Sequence, residues 1–203
     1  MPKTICLALT GASGMPYGMR LLECLLAAGC RVQLIYSPAA RIVAREESTL
    51  ELPERAADAE TLFKARFANQ PGALEVFGHE DWCAPVASGS SPPEAMIVCP
   101  CTMGTLAAIA QGLADNLIER AADVALKEGR KLILVPRETP FSAIHLENML
   151  RASRAGALIL PPNPGFYHHP RSVGDLVDFV VARLLDQVGV AHALTKRWGG
   201  EST

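Results

Sequence analysis

No stretch of the 203-residue sequence holds about 18 apolar residues in a row, the length a bilayer-crossing helix needs. The apolar start, Ile5 to Leu9, is too short and too soon broken by glycines for a signal peptide, so the expected location is cytoplasmic. Charge of one sign is also missing: 19 Lys and Arg face 21 Asp and Glu, a formal net charge of -2. Neither nucleic acid nor an anionic membrane is therefore an expected partner, and any anion must be held by local geometry. The six cysteines form no C-x-x-C, and the close pair is Cys99-Pro100-Cys101. That spacing argues for buried free thiols over disulfides or zinc, and no metal is expected.

What is present is an alternation of short apolar runs with helical patterns. With 49% apolar and 20% charged residues, the chain reads as one globular domain over residues 1–203. β runs are expected at Thr4–Leu9, Arg31–Tyr36, Leu74–Phe77, Ala95–Val98, Lys131–Val135 and Leu158–Leu160. Helical spacing covers Tyr17–Ala28, Ala39–Arg45, Glu54–Ala68, Thr102–Gln111, Asp115–Glu128, Phe141–Ala155 and Val173–Val188. Strands apolar enough to be covered on both faces, alternating with helices, imply an α/β fold: a three-layer, doubly wound parallel sheet. Ligands in such sheets sit outside the carboxyl ends of the strands, so loops beginning at Thr10, Ser37, Gly78, Pro100 and Pro136 are expected to converge on one crevice.

The first of these loops carries glycines at 11, 14 and 18, which is neither the G-x-G-x-x-G dinucleotide fingerprint nor a P-loop with its lysine. A glycine-rich turn opening a helix still offers backbone N–H groups to a phosphate, and Ser13 adds a hydroxyl; the alternative is a tight strand-to-helix turn with no ligand. Thr102 is placed to cap the next helix, with Gly104 and Thr105 in its first turn, so two helix N-termini face one crevice. For Cys101 the simple reading is an apolar core filler. Arg120 and Lys127 share a helix face seven residues apart and could be solvated charges only. Arg137 and Glu138 follow the most apolar strand, where an arginine can fork onto a phosphate and a carboxylate can exchange a proton. Tyr167, in the proline-rich "PPNPGFYHHP", and Arg183, on the last helix, complete a cation-rich set that suggests two phosphate groups.

Six ordered motifs then carry a resemblance: "TGASGMPYG", "ASGSS", "MIVCPCTMGTL", "NLIERAADVALKE", "LVPRETPFSAIHLENM" and "PGFYHHPRSVGDLVDFVVARLLDQ". The chain resembles the UbiX-like flavin prenyltransferases from residue 4 to Arg197-Trp198-Gly199. That resemblance implies a flavodoxin-like, Rossmann-like protomer in a homo-oligomer, expected to be a dodecamer, with flavin sites at subunit contacts. It implies transfer of a dimethylallyl group from dimethylallyl monophosphate to N5 and C6 of reduced FMN, without a metal, for use by a UbiD-type decarboxylase. By position it assigns Gly11, Ala12, Ser13, Ser37, Thr102, Met103, Gly104, Thr105 and Arg137 to FMN, with Ala87 and Ser88 reaching the ring from a neighbouring subunit. Tyr167, Arg183, Lys127 and Glu138 fall to the prenyl phosphate. Glu138, Glu47, Arg120 and Lys127 fall to the reaction centre, with Trp198 as an aromatic face for the allyl cation. Two alternatives share the fold: a non-catalytic FMN carrier and an FMN-dependent decarboxylase of cysteine-derived peptides. The latter needs a histidine that residues 40–75 do not contain.

Overall fold

The computed structural model describes residues 2–195. Strands Thr4–Leu9 (β1) and Arg31–Tyr36 (β2) flank helix Met15–Ala27 (α1), and helices Pro38–Glu47 (α2) and Ala56–Arg66 (α3) lead to Ala73–Phe77 (β3). A long loop with one 3-10 turn, Pro85–Ala87, then reaches Ala95–Cys101 (β4), followed by Met103–Gln111 (α4) and Leu117–Lys127 (α5). Lys131–Pro136 (β5), Ala143–Arg154 (α6), the two-residue Leu158–Ile159 (β6) and Val173–Val188 (α7) complete the order.

The six strands form one sheet in the order β3-β2-β1-β4-β5-β6, and every pairing is parallel. The doubly wound α/β fold expected from the alternation is therefore the observed one. Side chains of a strand alternate between faces, and here both faces are apolar. Ile5, Leu7, Leu9, Ile97 and Cys99 pack beneath α1, α2, α3 and α7, while Cys6, Ala8, Met96, Val98 and Cys101 pack against α4, α5 and α6. All six cysteines are free, and four of them are buried; Cys24 is half-buried and Cys83 is exposed. Burial pushes the Cys99 and Cys101 thiols far up, so both stay protonated as core fillers.

Helix starts differ from the periodicity by one or two residues because caps set them. Asn116 accepts from Ile118 and Glu119 N–H, so α5 starts at Leu117 rather than Asp115. Ser142 and His145 form a reciprocal capping box, so α6 starts at Ala143 rather than Phe141. At the other end, α2 runs two residues past Arg45, which brings Glu47 onto its last turn.

Close packing of α1 on the sheet requires Gly18, since a Cβ there would lie 2.5 Å from Cys99 O and 2.6 Å from Leu9 Cδ2. Gly18→Ala is expected to destabilise the fold by about 2 kcal/mol through overpacking, read as a lower urea midpoint with an unchanged slope. An unaltered midpoint would mean that α1 moves outward without cost.

Candidate functional site

Strand order reverses between β1 and β4, and the crevice outside their carboxyl ends is built by hydrogen bonds between loops distant in sequence. Thr10, 1% exposed, donates its hydroxyl to Pro100 O at 2.8 Å and accepts Thr102 N–H at 2.8 Å. Thr102 in turn caps α4, accepting Thr105 N–H at 3.0 Å and lying 2.9 Å from the Thr105 hydroxyl. Ser37 caps α2 by accepting Ala40 N–H, and its own N–H reaches Leu9 O. Gly11 permits this proximity, since a Cβ there would run into Ala39. From β5, Arg137 Nε donates to Ser13 O at 3.2 Å.

Three helix N-termini, those of α1, α2 and α4, thus open onto one edge, and their unpaired N–H groups favour anions. One of the three already holds an anion. The Glu47 carboxylate accepts from Gly14 N–H at 2.9 Å and Met15 N–H at 2.8 Å. Partial burial works to raise the pKa of Glu47. The Ser13 side chain, the two N–H groups and the charge of Arg137 outweigh it and hold the carboxyl below its ordinary value. An anion at the "TGASG" turn would therefore use Gly11 to Ser13 rather than the end of α1. The open donors are at α4, where Met103 and Gly104 lie in the first turn with no carbonyl of the helix behind them and a Cβ on Gly104 would meet nothing nearer than Thr102 Oγ1, 3.9 Å away. Hydroxyls, free N–H groups and one guanidinium are a donor set that fits the phosphate end of a flavin nucleotide.

Several other residues expected in the site lie elsewhere in the protomer. Lys127 ends α5 just before the amino end of β5, against Gly89 of the "ASGSS" loop and paired with Glu128. That edge is about 20 Å from the crevice across a seven-residue strand. Arg120 Nε holds Ala87 O at 3.0 Å and its Nη1 pairs with Asp123, tying the same loop to α5. Tyr167 and Arg183 line a third region, a cavity of about 770 Å³ beside β6 and α7. The Gly78 loop lines a recess with Tyr36, Pro38 and Arg41, beside Ser37. Glu138 follows Arg137 at the crevice, its Oε1 accepting Thr139 N–H at 3.1 Å. Trp198 lies outside the described residues. Among those residues no group of three or more His, Cys, Asp or Glu is placed to hold a metal ion, and no helix is long and apolar enough to cross a membrane.

Sequence reasoning passed over three features. Thr10 is the residue at which the first loop is expected to begin, and nothing in the sequence singles out its hydroxyl as the link to Pro100 and Thr102. Asp186 and His192, which engage Arg183, carry no motif signal, although the i,i+3 spacing of Arg183 and Asp186 on a helix could have flagged the first.

The family model described as "Flavoprotein" matches residues 1–185. The chain is 54% identical over 198 residues to the flavin prenyltransferase UbiX of Pseudomonas aeruginosa, covering 98% of this chain and 95% of that protein. In structure it is similar to AnUbiX (PadA1), crystallised with FMN and dimethylallyl pyrophosphate, with a TM-score of 0.88 at 40% identity over 100% of both chains. It is also similar to a dodecameric FMN-dependent Ubix-like decarboxylase from Escherichia coli O157:H7, with a TM-score of 0.83 at 44% identity over 97% of this chain and 100% of that one.

The Glu47 cap carries a pH signature. A carboxylate whose folded pKa is depressed adds stability that is fully present above its unfolded value, near 4.3, and is lost as pH falls through the lower folded value. In urea titrations of the apoprotein, Glu47→Gln is expected to cost about 1 kcal/mol at pH 7, with the gap to the parent closing below about pH 4. A gap that persists at low pH would show the cap to be independent of charge.

Proposed function

The chain belongs to the UbiX-like flavin prenyltransferases, and on that premise we propose that its carboxyl-edge crevice holds FMN while cations from other edges complete a prenyl-phosphate site in an oligomer. The observation that carries this is the separation just described: one protomer holds the flavin-type crevice around Thr102 and Arg137 but keeps Lys127, Tyr167 and Arg183 away from it. An oligomer is further supported by apolar side chains exposed along α6, Ile144 at 68%, Leu146 at 54% and Leu150 at 51%. On the parallel with the dodecameric relative, we take the assembly to be a dodecamer of one-domain chains acting in the cytoplasm.

In this reading Thr102, Thr105, the N–H groups of Met103 and Gly104, and Ser37 hold the FMN phosphate. Gly11 to Ser13 and Arg137 line the rest of the nucleotide, and Ala87 and Ser88 of a neighbouring copy cover the ring. Reduced FMN, when bound, supplies the N5 and C6 positions to which the dimethylallyl group is joined, giving prenylated FMN for a UbiD-type decarboxylase. The donor is dimethylallyl monophosphate.

Ionising an allylic phosphate builds negative charge on the leaving oxygen, and fixed cations in a water-poor site stabilise it without reorganising. Arg183 and Lys127 fill that role here, with the Tyr167 hydroxyl orienting the phosphate and Arg120 fixing the loop that carries Ala87. Glu138, held by Thr139 N–H through one oxygen, is the group we assign to accept the proton lost on ring closure. Glu47, bound to Gly14 and Met15, keeps Ser13 in place beside the ring.

Anaerobic incubation of the protein with reduced FMN and dimethylallyl monophosphate, followed by mass analysis of released flavin, tests the activity. A gain of one C5H8 unit is expected, absent in a Tyr167→Phe, Arg183→Ala double variant. Unmodified flavin despite tight binding would instead favour an FMN carrier. The shared site has its own test. Arg137→Ala and Arg183→Ala, each inactive alone, are expected to recover about a quarter of parental activity when co-expressed, because random mixing leaves that share of sites intact. No recovery would place both residues in one protomer's site.

A further inference from the structure

The cavity beside β6 and α7 has two unlike walls. One is aromatic: the Tyr167 ring stands edge-on to Phe179 at 6.0 Å between centroids, and His168 stacks flat on Phe179 at 5.1 Å. The other is a chain of charged contacts. Arg183 Nη1 donates to Asp186 Oδ2 at 2.9 Å, and Asp186 Oδ1 lies 3.1 Å from His192 Nε2. His192 comes from the segment beyond Gly189, where the chain turns back after α7, and its side chain is only 11% exposed.

We infer that Asp186 and His192 form a positioning pair that fixes Arg183 with one edge of its guanidinium engaged and the other turned to the donor's phosphate. The inference rests on the assignment of Arg183 to that phosphate. Its physical content lies in tautomer and geometry. Leu194 N–H points at His192 Nδ1 at 3.4 Å, so Nδ1 accepts and the ring proton sits on Nε2, which donates to Asp186. That bond anchors Asp186 to a nearly buried ring, and Asp186 then holds Nη1 of an arginine that is otherwise half exposed. Nε and Nη2 remain as a parallel pair of donors, the edge that matches two phosphate oxygens. A free arginine loses rotamer entropy on binding an anion; a pinned one has lost most of it already, so the ligand binds more tightly.

Charge alone predicts the opposite. Asp186 is an anion in the cavity that receives a phosphate dianion, so removing its charge should tighten binding if repulsion were all that mattered. The sign of the change therefore separates the two accounts.

The test is calorimetric titration of dimethylallyl monophosphate into the oligomer loaded with oxidised FMN, where no turnover occurs. Melting temperature and flavin content serve as controls for folding. Arg183→Ala comes first: an unchanged Kd there would remove the site assignment itself. With that assignment standing, Asp186→Asn and His192→Leu are each expected to weaken binding about five- to tenfold. His192→Gln, whose amide nitrogen replaces Nε2 as donor, should return binding to within about twofold of the parent. In steady-state assays the loss should fall on KM with kcat little changed. Equal or tighter binding by Asp186→Asn, or equal loss in His192→Leu and His192→Gln, would overturn the positioning role. Should Asp186→Asn fail to fold, the two His192 variants decide the matter alone.

Discussion

The buried Thr10 hydroxyl fixes the geometry on which the crevice depends. Donating to Pro100 O and accepting from Thr102 N–H, it links the ends of β1 and β4 where the winding of the sheet reverses. Each such bond adds only about 1 kcal/mol net, but a buried partner left without one costs more, about 1–3 kcal/mol. The tie is therefore strong in the sense that matters, against distortion. It sets where α4 begins relative to α1, and so where the free donors of α4 point.

That placement creates an electrostatic demand that the chain meets unevenly. Three helix N-termini at one edge concentrate partial positive charge, and an unfilled cluster of this kind favours any anion within reach. Glu47 satisfies α1 from within the chain, and α2 opens on Pro38, which has no N–H, with Ser37 capping Ala40, so the free donors are concentrated at α4. An internal carboxylate at one terminus makes the site selective in position: a phosphate would seat at Thr102–Thr105 rather than spread over equivalent cradles. The same contacts keep Ser13 and Arg137 close to Glu47, so the turn named by its glycines is organised by an acidic residue 33 positions later.

The sheet was legible in the sequence because its central strands are apolar on both faces. Ala8 and Leu9, or Val98 and Cys99, leave no solvent face to confuse the period. Helix starts were less legible because one capping side chain decides them, and Asn116 and Ser142 do not alter the hydrophobic pattern around them. The role of Glu47 was hidden for a related reason: periodicity ended α2 at Arg45, and only the two further residues deliver the carboxylate to Gly14. Asp186 and His192 were illegible for a third reason. On a sequence, a charged pair three apart on a final helix looks solvated, and the return of the chain beyond Gly189 that brings in His192 is a tertiary event.

The grouping of charges also explains why one protomer does not suffice for the proposed chemistry. At the crevice, the charge of Arg137 acts on Glu47, and Glu138 adds a second carboxylate next along the chain, a balance that suits a proton acceptor but not a departing phosphate. The cations that could stabilise such a group are held elsewhere, each beside an acid of its own: Lys127 with Glu128, Arg183 with Asp186. Pairing of this kind keeps exposed cations from binding stray anions while they are apart, since each is partly neutralised in the protomer. When neighbouring copies bring them to a crevice, a phosphate dianion carries more charge than a carboxylate and offers more acceptor oxygens. It can then draw Lys127 away from Glu128 and bind Arg183 on the edge that Asp186 leaves free. On the proposed assembly, a site that becomes cationic only when copies meet would confine ionisation of the donor to the place where the flavin is already held.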